Sequence, residues 1–269
     1  MNFDYKLIIP KKYLIPDYLL AEYKNIIMFA MPKKTTGRPR LDDEPLLAGI
    51  YYLLKTGCQW DALPLCFGNA KTIFHRFQEL IAINAFQKIW KLVLYKYDQV
   101  KGLKLEDQSI DSSHKKSPLG GEKTGKSPVD RRKLGTKINL ITEGNGLPIG
   151  LSVEKGNRHD TQLLIPILGN LQHQIPQSRN NRFHSDKGYI SKKNRDALIS
   201  YNYILVMPKK KLRNKPREVS KKDEVRWVVE RTFSWIGRFR RLFVRYEKLK
   251  SNFLSLLQFA AQIIILSKI

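Results

Sequence analysis

Cysteine is scarce in this sequence, and so are acidic residues and long apolar runs. Cys58 and Cys66 are too few for a disulfide framework and lack the Cys/His spacing of a zinc site, which suits a reducing compartment. Residues 1–20 show no basic segment followed by an apolar one, so no signal peptide is expected. The apolar residues 253–269 are too short for the ~20-residue span of a membrane helix and contain Gln258 and Gln262, which favours a buried terminal helix.

The shortage of acids leaves a strong positive charge. Asp plus Glu number 24 against 49 Lys plus Arg, which gives a formal net charge of +25. Such a charge predicts a polyanionic partner. The basic residues run along the whole chain, whereas a membrane anchor usually concentrates them on one amphipathic helix. Nucleic acid is therefore the predicted partner, with no membrane and with a cytoplasmic, nucleoid-associated location.

Residues 1–98 are predicted to form a small all-α module. After a short leader and a basic stretch, apolar residues recur at helical spacing from Leu46 to Leu54, and TIFHRFQEL and AFQKIWKLVLYKY predict two more helices. Helix, bend and helix resemble a helix-turn-helix module, whose outer face would present Thr72, His75 and Arg76 to DNA. A plain packing unit fits this pattern equally well.

Residues 99–269 change to short β-type runs. LKLEDQSID, KINLIT and IGLSV predict three strands, followed by helix, strand, helix, strand, a basic loop and a long helix that begins near Glu224. This is the order of a ribonuclease-H-like mixed sheet flanked by helices, an α/β fold. The basic loop contains Lys209, Lys210 and Lys211, which we expect to contact DNA.

Three carboxylates stand on three separate predicted elements. Asp111 ends a strand, Asp186 follows another strand, and Glu230 lies early in the long helix. Carboxylates that meet at one point repel each other unless a cation neutralises them, and their hard oxygen ligands suit Mg²⁺ or Mn²⁺. Two such ions ~4 Å apart can promote an in-line displacement at phosphorus. Taken one by one, each acid is better explained as a helix cap, a turn residue or a salt-bridge partner, and only the constellation with its flanking residues favours a metal site.

The segments around these acids carry a resemblance to a known family. SIDSSHKKSP, HSDKGYIS and RWVVERTFSWIGRFRRLFVRYEK resemble, in order, the three catalytic blocks of DDE transposases, in particular the insertion-sequence family numbered five, with a catalytic domain like that of transposase family eleven. GRPRLDDEPLLAGIYYLLKTGCQWDALP resembles that family's amino-terminal module, and LGTKINLITEGNGLPIGLSVEKGNRHDT resembles the segment between the first two acids. The resemblance spans residues 37–266.

The resemblance implies a retroviral-integrase-like catalytic core in which Asp111, Asp186 and Glu230 hold two Mg²⁺ ions, with Mn²⁺ as a substitute. It implies a bacterial enzyme that binds double-stranded DNA at terminal inverted repeats, cleaves it and joins it to target DNA, with several copies in the synaptic complex. Two alternatives stay open: an inactive transposase-derived DNA-binding protein, and a ribonuclease-H-like nuclease of DNA repair.

Related families also carry a Tyr-Arg-Glu-Lys signature around the last acid. Arg226 matches its Arg, but Asp223 replaces the Tyr and Gly237 the Lys, whose part Arg238 can take. Helical spacing would align Arg226, Glu230, Ser234, Arg238 and Arg241 in one stripe, and Arg226 would grip the scissile phosphate. Further predicted DNA contacts are Lys187, Arg231, Arg238, Arg240 and Arg241.

Four ring-bearing residues near the predicted site are assigned structural roles. Trp227 and Trp235 are expected in the core, because an aromatic residue on a helix packs inside more often than it stacks on a base. His159 and His184 have no partner at metal-ligand spacing and are expected to support the structure.

Overall fold

The N-terminal part of the chain is helical. The computed structural model describes residues 4–30, 40–128, 130–172, 181–206 and 221–269. Over residues 4–30, where only a leader was expected, two helices form, because Leu19, Leu20, Tyr23 and Ile27 recur at helical spacing and are buried. The helices up to residue 101 are α1 (Tyr5–Ile8), α2 (Asp17–Ala30), α3 (Asp43–Thr56), α4 (Ala70–Ala82) and α5 (Ala85–Lys101).

The ends of these helices follow local rules. Gly57 ends α3 in the left-handed conformation at φ 74°, and a Cβ there would lie 2.9 Å from the Cβ of Arg240, so this turn requires glycine. The side chain of Asn69 caps α4 by accepting from the backbone N–H of Lys71 at 3.0 Å. Asn84, also left-handed, makes the short bend before α5.

A mixed sheet forms the second part of the chain. The strands are β1 (Asp107–Lys116), β2 (Gly125–Lys126), β3 (Leu134–Thr142), β4 (Pro148–Lys155), β5 (Asn181–His184) and β6 (Tyr203–Val206). Their order in the sheet is β2-β3-β1-β5-β6, and β4 also pairs with β3. β1 pairs antiparallel with β3 and β3 antiparallel with β4, whereas β1 with β5 and β5 with β6 are parallel.

Helices flank this sheet, as the sequence predicts. They are α6 (Leu164–Gln172), α7 (Lys192–Ser200), α8 (Lys221–Gly237) and α9 (Lys250–Leu266). α6 packs on β4, α7 on β6, and α8 on β1 and β3. The predicted ribonuclease-H-like mixed sheet with an all-α N-terminal region is therefore confirmed.

One hydrophobic core joins the helical region to the sheet. α9 packs against α5 and β4, and its buried Gln262 accepts from the Tyr23 hydroxyl at 3.0 Å and donates to the carbonyl of Phe86 at 2.6 Å. The buried terminal helix expected from residues 253–269 is thus confirmed. No helix in the described ranges is long and apolar enough to cross a membrane. The division at residues 98 and 99 falls inside α5 and stays a prediction.

Candidate active site at the carboxyl edge of two parallel strands

The parallel strands β1 and β5 bring Asp111 and Asp186 to neighbouring positions. Ser109 on β1 is paired with His184 on β5, and each aspartate lies two residues beyond these partners. Asp111 continues β1, while Asp186 follows β5 and caps the 3-10 turn Lys187–Tyr189. Each carboxylate accepts from the backbone N–H of the next residue, Asp111 at 2.8 Å and Asp186 at 2.9 Å, which fixes its direction.

A buried tyrosine lies beside both aspartates. Tyr189 is 2% exposed, and burial raises the pKa of its hydroxyl well above the usual value of 10.0. The negative charges of Asp160, Asp111 and Asp186 raise this pKa further. The Tyr189 hydroxyl therefore stays protonated at neutral pH.

Asp160 is a further acid at this edge, and the sequence argument missed it. Its Oδ1 accepts from the Oγ of Ser112 at 3.2 Å and from the Nζ of Lys137 at 2.7 Å. A Cβ built on Gly188 would come within 3.3 Å of the other oxygen, so the turn after Asp186 lies directly against Asp160. Asp160 thus connects β1, β3 and the Asp186 turn. Lys137, the basic partner of Asp160, lies opposite His114 in the pairing of β3 with β1, the strand of Asp111. This pairing, which brings Asp160 to the other two acids, is visible only in the folded chain.

Two side chains hold the loops around the aspartates in place. The buried Asn194 on α7 donates to the carbonyls of Thr161 at 2.8 Å and Tyr189 at 2.6 Å, which ties the Asp160 turn to the Asp186 turn. The buried His184 lies with its Nε2 2.7 Å from Oδ1 of Asp107, so it has the structural contact that its assignment predicts. The His159 ring accepts from the backbone N–H of Thr161 and caps the Asp160 turn.

Glu230 lies on the exposed side of α8, the helix that packs on β1. The helix docks through the turn between β3 and β4: Thr232 Oγ1 donates to the carbonyl of Gly146 at 2.5 Å, and Arg231 Nη2 to that of Asn145 at 2.6 Å. Glu143, nearly fully buried, holds this turn by accepting three backbone N–H groups, from Lys104, Asn145 and Leu147. Burial raises the pKa of Glu143.

Glu230 does not form a single cluster with Asp111 and Asp186. Across the residues that the structure describes, no three His, Cys, Asp or Glu side chains form a group that could hold a metal ion. The structure therefore brings Asp111 and Asp186 together, and places Glu230 on a helix beside them. The oxygens of all three have the chemistry that hard divalent cations prefer.

The predicted exposure of Arg76 is wrong. Thr72 and His75 are exposed as expected, but Arg76 is only 5% exposed. Its guanidinium is paired with Asp43 at 2.8 Å and also with Glu79 on its own helix. Arg76 faces inward because the side of α4 that carries it packs on the start of α3. Its side chain therefore holds two helices together and is not available to DNA.

The predicted arginine stripe is also corrected. α8 ends at Gly237, so Arg238 and Arg241 lie beyond the helix. Arg241 is 6% exposed, pairs with Glu247 at 2.7 Å and donates to the carbonyl of Cys58 at 2.8 Å, which leaves it no surface for DNA. Arg238 and Arg240 are exposed.

Arg231 and the two tryptophans form one stack. The guanidinium carbon of Arg231 lies 5.5 Å from the ring centroid of Trp227 and 5.1 Å from that of Trp235. Trp235 packs partly buried against the core, but Trp227 is 57% exposed, so the prediction of a core position is wrong for Trp227. Arg231 is half-buried and occupied by protein contacts.

The remaining predicted contacts divide into two groups. Lys187 is exposed on the turn next to Asp186. Lys209, Lys210 and Lys211 lie outside the described residues, as does the Arg226 side chain, of which only the helical backbone is described. These assignments stay predictions.

Comparisons with known proteins fit this architecture. A family model described as "Transposase DDE domain" matches residues 103–263, and one described as "Putative transposase of IS4/5 family" matches residues 21–90. A putative transposase for insertion sequence element IS402 of Burkholderia cepacia is 33% identical over 138 residues, 48% of this chain and 62% of the relative. An IS402 uncharacterized 16.2 kDa protein from the same organism is 28% identical, over 36% of this chain and 67% of that protein. The match thus spans about two thirds of each relative.

Among solved structures, the Mos1 strand transfer complex is 13% identical, with a TM-score of 0.36, and the match covers 92% of this chain and 84% of that one. The catalytic domain of Mos1 mariner transposase is 12% identical, with a TM-score of 0.29, over 68% of this chain and 91% of that one.

Proposed function

The chain belongs to the family of proteins with a transposase DDE domain. From this we propose that it is a DNA transposase that cleaves and joins DNA strands, with Asp111, Asp186 and Glu230 as its catalytic acids. The observation that carries the proposal is the strand register: Asp111 and Asp186 follow equivalent positions of adjacent parallel strands, inside the matched segment. α8, which carries Glu230, packs on β1, the strand of Asp111.

The three acids would share the task of holding two divalent cations. Bound Mg²⁺ or Mn²⁺ would activate the attacking oxygen and stabilise the leaving oxygen at the scissile phosphate. Asp111 and Asp186 are oriented by backbone N–H groups, and the buried Tyr189 beside the Asp186 turn stays uncharged. Lys137 and Asp160 neutralise each other at 2.7 Å next to the site, which limits the negative charge that DNA must approach.

DNA binding would come from exposed basic residues around this edge. Lys187 lies next to Asp186, and Arg238 and Arg240 follow the helix of Glu230. The formal charge of +25 favours a phosphate backbone. Thr72 on α4 is exposed and suits a contact to the terminal repeats. Arg226 and the lysines at 209–211 would add contacts, and several copies would bring two transposon ends together.

The test is nicking of a labelled duplex that carries the element's terminal repeat, with gel-shift affinity for the same duplex. Asp111→Asn, Asp186→Asn and Glu230→Gln keep side-chain size and remove one charge each. Each should bind the duplex at least as tightly as wild type, since repulsion toward phosphate is reduced, while nicking in Mg²⁺ collapses.

The matched control is Glu106→Gln, an exposed acid just before the start of β1, which should nick normally. A site variant that nicks at wild-type rate would remove that residue from the site. Wild-type protein that binds but never nicks would indicate an inactive DNA-binding relative, and nicking that follows DNA structure regardless of repeat sequence would indicate a repair nuclease.

A further inference from the structure

A groove lies at the far end of β1, away from the aspartates. Its volume is about 490 Å³, and its walls combine apolar side chains with two ammonium groups. Lys116, Lys133, Leu134 and Tyr246 are exposed, Tyr246 by 46% and Leu134 by 42%. We call it the strand-end groove, lined by Lys116, Pro118, Lys133, Leu134, Val244 and Tyr246.

The surroundings of the strand-end groove are basic and aromatic. Arg131 and Arg132 are exposed next to Lys133, and Phe243 is 67% exposed with the Nζ of Lys115 5.8 Å from its ring centroid. The lining contains no acid. Glu247, adjacent to Tyr246, is buried in its ion pair with Arg241 and adds no charge at the surface. A surface of this kind complements a polyanion that also has flat aromatic faces.

We propose that the strand-end groove binds the DNA strand beside the cleavage site, with phosphates on Lys116 and Lys133 and a base stacked on the ring of Tyr246. Ammonium groups neutralise phosphates whatever the sequence, and an exposed ring offers any unpaired base a stacking face. This inference rests on the proposed function, because it assumes that DNA is cut at Asp111 and Asp186.

The length of β1 sets where along the DNA this contact falls. Lys116 is five residues beyond Asp111 on the same strand. At a rise of ~3.3 Å per residue the separation is roughly 17 Å, about five nucleotide steps at ~3.4 Å each. On the premise that the DNA runs along β1, the strand-end groove, at the end of that strand, falls roughly five nucleotides from the scissile phosphate.

Photo-cross-linking tests this position directly. Terminal-repeat duplexes carrying one 5-iododeoxyuridine at successive positions are irradiated with the full-length protein, and the cross-linked residue is identified by mass spectrometry. Tyr246 should cross-link at roughly four to six nucleotides from the cut, following the strand rise above, and Tyr246→Phe should keep the cross-link. Tyr246→Ala should lose the cross-link and weaken binding about tenfold, the loss of one stacked base.

Salt dependence tests the lysines. The double variant Lys116→Ala/Lys133→Ala should lower the slope of log K against log salt by about 1.8, since each neutralised phosphate contributes ~0.9. The control is Lys11→Ala/Lys12→Ala, two exposed lysines of the N-terminal region, which should leave slope and cross-link unchanged. All substituted side chains are exposed, so the variants should fold as wild type does, and circular dichroism checks this.

The outcomes separate this proposal from the proposed function. If wild type binds and nicks the repeat, but cross-links elsewhere and keeps its affinity and salt slope in all groove variants, the strand-end groove does not bind DNA. If the groove variants instead abolish self-association in sedimentation and leave DNA binding intact, the groove is a protein interface and the inference is wrong. Wild type that neither binds nor nicks any repeat overturns both.

Discussion

Arg76 offers the clearest test of how the structure changes the interpretation of the helical module. Its guanidinium is 5% exposed and pairs with Asp43 at 2.8 Å and with Glu79. Arg76→Ala removes the cation, leaves two carboxylates facing each other, and opens a cavity at the α3–α4 contact. We therefore expect loss of folding stability, and no loss of a DNA contact.

The size of the loss follows from how buried the partners are. Removing one member of a fully buried ion pair costs about 3–5 kcal/mol. The side chains of Asp43 and Glu79 are 21% and 26% exposed, so water can solvate part of the remaining charge. We expect a loss of about 2–3 kcal/mol, or roughly 5–10 °C in Tm for a chain of this size.

Urea denaturation measures this free energy, and gel shift measures affinity for the terminal-repeat duplex under conditions where the variant is fully folded. His75→Ala is the matched control, since His75 is one residue away and its side chain is 77% exposed. His75→Ala should unfold as wild type does. An Arg76→Ala protein with unchanged urea midpoint and greatly weakened DNA binding would refute the structural role and restore the DNA contact.

Three further predictions follow from single contacts. Asp160→Asn leaves Lys137 without its charged partner beside the aspartates. Because substitutions of residues that support metal ligands typically cost about 10–100-fold in activity, this variant should nick about 10–100-fold more slowly with little change in duplex affinity. Equal losses in nicking and affinity would refute this prediction. The hydrogen bonds of Glu44 with Lys24 and Lys6 lower its pKa to about 2, so they contribute stability above pH 4.5 that is lost as the pH falls toward 2; Glu44→Gln should cost about 1 kcal/mol at pH 7, and the difference in Tm should disappear in acid. Gly121→Ala, at φ 115°, would place a Cβ against the carbonyl oxygen of Lys248 and should lower the Tm, whereas Gly169→Ala on α6 meets nothing within 4 Å and should not. Equal Tm values for the two variants would contradict this.

Deletion of residues 1–98 would change folding as well as any DNA contact of the helical region. Such a truncation would cut α5 near its end and expose the face of α9 that packs on it. Loss of end binding in the truncated chain would therefore report lost folding as well as lost contacts. Substitutions at exposed positions such as Thr72 test the DNA-binding role of this region without that defect.

The sequence by itself determined the helices and strands from α3 onward, except the short strand β2, whereas α1 and α2 were not expected. Strands and helices have short-range signatures: β-type runs gave β1, β3 and β4, Gly57 marked a helix end, and apolar spacing marked α9. Asp186 follows such a strand as expected, whereas Asp111, expected at a strand end, lies inside β1, which continues to Lys116. The neighbouring positions of the two acids were predictable once the strands were taken as parallel neighbours.

Tertiary structure decided which polar side chains are available. Arg76 and Arg241 occur in basic, helical segments that look like DNA-binding surfaces, but partners distant in the sequence bury them: Asp43 for the first and the Cys58 carbonyl for the second. Asp160 joins the aspartate edge through Lys137 and Ser112, 23 and 48 residues away. A guanidinium or carboxylate has the same local sequence signal whether it faces water or a buried partner, because the choice depends on the free energy of desolvation and pairing, which only the packed chain sets.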